Sequence, residues 1–89
     1  MATSIEREQA IEKQYGKVDS ELTTYVRANL KNRVTIRRKE LEREYVFSAH
    51  LGGIVAVHVV LRVDIDQSWA PNALLRCAAH EAARKLVTS

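Results

Sequence analysis

The chain has one cysteine, one proline and three glycines in 89 residues. A lone Cys77 excludes an intramolecular disulfide and fits a reducing compartment. No stretch approaches the ~18 apolar residues of a membrane span. The opening MATSIEREQAIEK lacks the apolar core of a signal peptide. The expectation is a soluble, cytoplasmic protein with no membrane partner. The sequence has no glycine-rich loop to cradle a phosphate, because Gly52-Gly53 is only a dipeptide. Aromatic residues are 6% of the chain, with Trp69 the only tryptophan.

Hydrophobic residues make up 46% and charged residues 28%, an ordinary globular balance, so residues 1–89 are expected to form a single domain. The net charge of +3 permits an acidic partner such as nucleic acid without requiring one. A core built from so short a chain is small, and such domains often complete their burial by oligomerising.

The strongest local pattern is Val55, Val57, Val59, Leu61, Val63 and Ile65, apolar at every odd position, with His58, Arg62, Asp64 and Asp66 at even ones. That alternation predicts a strand with one buried face. Leu41, Tyr45, Phe47, Ala49 and Leu51 precede it with the same parity, across Gly52-Gly53. Pairing Leu51 with Val55, Phe47 with Val59 and Tyr45 with Leu61 predicts a hairpin whose odd residues face inward. Burial of each valine or leucine would then contribute on the order of 1.5–3 kcal/mol, and Val59→Asp would unfold the protein.

Thr3 and Glu6 have the spacing of a capping box, which opens a helix expected over about 4–31. Within it Ile11, Tyr15, Val18, Leu22 and Tyr25 alternate at spacings of four and three, a heptad seam expected to form a homodimer interface. Gly16 weakens that helix by roughly 1 kcal/mol relative to alanine. Residues 33–38 read as a short first strand, joined through a turn or bulge near 39–42 to a strand at 41–51. A helical reading of 36–44 stands beside it, supported by Arg38 and Glu42 at i,i+4. The third strand is expected within 54–66. Ser68 or Asn72 can cap a last helix over about 72–87, begun by Pro71, with Leu75, Ala78, Ala79, Ala82 and Leu86 inward. The expected fold is α+β: a long N-terminal helix, a two- or three-stranded antiparallel sheet and a C-terminal helix, αβ(β)βα, as a dimer.

Chemistry-bearing residues are sparse. Arg27, Lys31, Arg33, Arg37, Arg38, Lys39 and Arg43 place seven of the fourteen cations in seventeen positions, against Glu40 and Glu42. Such a cluster either neutralises phosphates, with Arg33, Arg37, Arg38, Lys39 and Arg43 as the contacts, or forms a solvated strand edge that blocks aggregation. Cys77 and His80, three apart on a helix, with His50 and His58 elsewhere, are too few thiolates for a structural zinc site, so no metal or other cofactor is expected. A Cys77–His80 nucleophile pair has no nearby oxyanion-stabilising group, and no enzyme is expected. Trp69 is either a staple that packs the last helix onto the sheet or an exposed anchor for another protein.

Two segments carry a family resemblance. Val63, Asp64, Ile65, Asp66 and Ser68, followed by Glu81, Ala82, Ala83, Arg84 and Lys85, resemble the strand end and alanine-rich last helix of the YbaB/EbfC family of nucleoid-associated proteins. The resemblance implies a homodimer that binds double-stranded DNA with little sequence preference. A shorter run, Pro71-Asn72 through Leu74-Leu75, is similar to the last-helix segment of SecB-type chaperones. The function expected is a small non-enzymatic nucleic-acid binder. The alternative is a protein–protein assembly, adaptor or chaperone-like module acting through the N-terminal seam.

Overall fold

The computed structural model describes residues 4–88, so Thr3 of the expected capping box lies outside them. The elements in order are α1 (Ser4–Tyr15), β1 (Lys17–Val18), α2 (Ser20–Leu30), β2 (Thr35–Glu40), β3 (Glu44–Leu51), β4 (Ile54–Leu61), α3 (Arg62–Asp66) and α4 (Pro71–Thr88). The strands form one antiparallel sheet in the order β1-β2-β3-β4. The α+β class and the helices at both ends agree with expectation. The sheet has four strands rather than two or three.

The single long helix is corrected to two. Gly16 ends α1 at φ +88, where only glycine is comfortable. A Cβ at this position would lie 2.6 Å from the Arg38 carbonyl carbon and 2.8 Å from the Lys39 Cα. The chain passes β2 as the two-residue β1, and Asp19 then caps α2, its carboxylate accepting from the Leu22 N–H at 2.9 Å. The expected seam is thereby divided. Ile11 and Tyr15 stay on α1, Val18 is exposed on β1, Leu22 is buried beneath α2, and Tyr25 is partly exposed.

Residues 35–40 are a strand, which decides against the helical reading of 36–44. Leu41 lies in the following turn with its N–H on the Glu44 carbonyl, so it joins no strand. The hairpin exists, but its register is shifted by one residue: Leu51 pairs with Ile54, Phe47 with His58 and Tyr45 with Val60. Gly52 takes φ +61 at the first position of a two-residue loop, the arrangement of a II′ turn. A one-residue shift turns every side chain over. Ala56, His58 and Val60 therefore face the helices, while Val55, Val57, Val59 and Leu61 point outward and are 37–50% exposed. The strand also stops at Leu61, and Arg62–Asp66 forms the short α3, which buries Ile65.

The core lies between the inner sheet face and α2 with α4. Val34, Ile36, Phe47 and Ala49 from the sheet side meet Leu22 and Val26 of α2 and Ala78, Ala79, Ala82, Ala83 and Leu86 of α4. The alanines let α4 lie close against β3 and β4. Helix α1 crosses the opposite, outer face over β2 and β3. There the buried Arg37 donates to the Gly16 carbonyl at 3.0 Å and pairs with Glu8. Tyr15 packs edge-on against His50, with centroids 5.0 Å apart.

Candidate nucleic-acid interface

Strand geometry disperses the five cations expected to contact phosphate. Arg37 and Arg38 are neighbours in sequence, so their side chains take opposite faces of β2. Arg37 is buried under α1. Arg38 lies on the inner side between Asp19 at 3.7 Å and Glu40 at 3.8 Å. Lys39 donates to the Lys13 and Gln14 carbonyls at 3.0 and 3.4 Å, closing the end of α1. Arg33, between α2 and β2, and Arg43, in the β2–β3 turn, are exposed at opposite ends of β2. They are separated by roughly 20 Å of strand.

A different basic surface is assembled by the helices. Residues 20–33 and 71–88 carry six cations, Arg27, Lys31, Arg33, Arg76, Arg84 and Lys85, against two acids, Glu21 and Glu81. The remaining residues carry eight cations and nine acids. The whole positive excess of the chain therefore lies in α2, the three residues that follow it and α4, and all six of these cations are exposed. Three of them are partly committed: Arg27 Nε donates to the Val34 carbonyl at 2.8 Å and its guanidinium reaches Thr35 Oγ1 at 3.2 Å, Arg84 pairs with Glu81 at 3.3 Å, and Lys85 Nζ donates to the Val57 carbonyl at 3.1 Å.

A groove of about 690 Å³ runs between α2 and α4, with Tyr25, Leu75, Asn72 and Arg76 among its lining. The Arg76 guanidinium sits 5.7 Å from the Tyr25 ring centroid. An aromatic face bordered by cations is the pairing that stacks bases while holding phosphates. Asp19 and Glu21 line one end of the groove and limit where a phosphate can sit. No family model, curated protein or solved structure matches this chain. The segment that resembles a Val-x-Ile-Asp strand end, Val63–Asp66, belongs to the helix α3.

The other sequence candidates separate. Cys77 is exposed on α4, and no group of three or more His, Cys, Asp or Glu among the described residues could hold a metal. Ser48 Oγ and His50 Nε2 lie 2.8 Å apart, a pair that period counting did not single out. Ser48 has no exposed surface, so its hydroxyl cannot meet a substrate; it hydrogen-bonds the half-buried His50 ring instead. Burial, then the charge of Arg37, lowers the pKa of His50 below its ordinary value. Burial, then Lys85, does the same to His58. Trp69 is 97% exposed, so the staple reading is corrected. The α2–α4 surface and the Arg76–Tyr25 contact were also missed. Counting charge by expected helix would not have found the first, because the helix expected over 4–31 holds five cations and five acids; the excess shows only once the break at Gly16 separates α2 from α1.

Proposed function

We propose that this chain is a small non-enzymatic nucleic-acid-binding protein that contacts phosphates through the exposed cations of α2, of the residues just after it and of α4, with little sequence preference. The observation that carries this reading is the charge division: residues 20–33 and 71–88 hold six exposed cations against two acids, on a chain of net charge +3. Of the cations first considered, Arg33 belongs to this surface. Arg43 lies apart from it, and Arg37, Arg38 and Lys39 act within the fold. The reading carries with it a cytoplasmic location, where duplex DNA is a ligand of the right chemistry.

The test is fluorescence anisotropy of a labelled random duplex, titrated at low and at physiological salt. Micromolar affinity that falls steeply with salt is expected, because each neutralised phosphate contributes about −0.9 to the slope of log K against log salt. Arg33→Ala, Arg76→Ala and Arg84→Ala should each weaken binding and flatten that slope. No binding at low salt would overturn the proposal.

The exposed Trp69 favours a second reading, an assembly module that docks another protein on this loop. That reading requires binding to a protein that is insensitive to salt and lost in Trp69→Ala.

A further inference from the structure

The sheet has two unlike edges. One is closed by the two-residue β1. The other is the whole of β4, eight residues without a proline, a bulge or an outward charge to defend it. The Arg62 N–H donates to the Arg43 carbonyl at 2.9 Å, continuing the β3–β4 register. Even residues of β4 therefore bond to β3, and the N–H and C=O groups of Val55, Val57, Val59 and Leu61 point to the open edge. Lys85 Nζ reaches one of these, the Val57 carbonyl, at 3.1 Å. The same four residues carry the exposed apolar stripe of the outer face.

We propose that β4 is the surface through which two copies of this chain pair, edge to edge and antiparallel, about a two-fold axis at His58. Three features of the strand fit a second copy better than a foreign strand. First, in this register Val57 faces the partner's Val59 and Val55 faces the partner's Leu61, so every edge-facing backbone group on both strands is paired, the Val57 carbonyl taking the partner's N–H beside or in place of Lys85 Nζ, and the two stripes join across the outer face. Second, Ile54 is 60% exposed at the hairpin tip, on the inner side. The pairing carries it toward the partner's groove of about 200 Å³, lined by Val60, Ile65 and Leu74 and also by His58, Asp64 and Glu81. Third, Glu81 and Lys85 stand one helical turn apart on α4 beside His58, with Lys85 Nζ 3.1 Å from His58 Nδ1. The axis runs the two α4 helices antiparallel, so Glu81 of each copy, which accepts from its own Arg84 at 3.3 Å, also faces the partner's Lys85.

Sedimentation velocity of the full chain across a concentration series tests this. A 20 kDa species built from the 10.1 kDa chain is expected to dominate at high micromolar concentration. Val59→Pro removes an N–H that points to the open edge and bonds to nothing among the described residues, so it should leave the fold intact by circular dichroism and raise the dimer dissociation constant at least tenfold. Glu81→Lys should do the same by opposing like charges, and Glu81→Lys with Lys85→Glu should restore the dimer. A chain that stays monomeric at all concentrations overturns the proposal. So does a dimer that both Glu81→Lys and a folded Val59→Pro leave unchanged, which would move the interface to another face.

Discussion

The Cα of Gly16 lies so close to Arg38 that a methyl group there would sit 2.6 Å from the Arg38 carbonyl carbon. The residue also has φ +88, so both the local conformation and the passing strand require glycine. Gly52, at φ +61, has open space around its Cβ direction. Gly16→Ala is therefore expected to cost about 2–3 kcal/mol and Gly52→Ala about 1 kcal/mol, the latter from left-handed backbone alone. Urea denaturation of the two variants checks this, and equal losses would mean that β1 does not press on β2.

The shifted hairpin register reverses the expectation for Val59. With its side chain on the outer face and 47% exposed, Val59→Asp should leave a folded protein with a cooperative melt. Phe47, its expected partner, is fully buried among the helices, and Phe47→Ala should cost about 3–5 kcal/mol. Thermal melts followed by circular dichroism at low protein concentration separate the two. Unfolding by Val59→Asp would restore the inward register.

The hairpin itself was legible because alternation identifies residues that share a face. It does not say which face lies inward, and β4 made that choice ambiguous: Ile54, Ala56 and Val60 are apolar too. The two-residue turn at Gly52-Gly53 decided it. α4 was legible to within a residue at each end because Pro71 and the alanine spacing act locally. The break at Gly16 was not, since a heptad pattern runs through it unbroken and the close approach to Arg38 is a tertiary fact. The dispersal of the basic cluster was readable, because strand alternation sends Arg37 and Arg38 to opposite faces whatever the rest of the chain does.

Stability should decline as pH falls below the ordinary histidine value of about 6.5. His50 has a lowered pKa in the fold, first through burial and then through Arg37, and His58 through burial and Lys85. The unfolded chain therefore takes up these protons before the native one does, and protonation favours unfolding from about pH 6.5 down to the native pKa values. Urea denaturation between pH 7.5 and 5 should show this loss, and His50→Gln should reduce it. A midpoint that is flat over that range would show that neither ring is held neutral by the fold.

Arg37 is expected to be a structural residue and Arg33 a surface one, which separates the two readings of the basic cluster. The buried guanidinium of Arg37 donates to the Gly16 carbonyl and pairs with Glu8, joining β2 to the end and the middle of α1. Arg37→Met leaves that carbonyl without its charged donor and should cost about 1.5–3 kcal/mol. Because α1 buries no residue fully, its amide protons should exchange faster in this variant while those of β3 keep their protection. Arg33→Ala should change stability by no more than about 0.5 kcal/mol. DNA affinity should respond in the opposite order, falling in Arg33→Ala and holding in Arg37→Met. Hydrogen exchange and anisotropy on the same two proteins decide it. If Arg37→Met lost DNA binding with α1 still protected, the phosphate contacts would lie on the sheet's outer face and not on the helices.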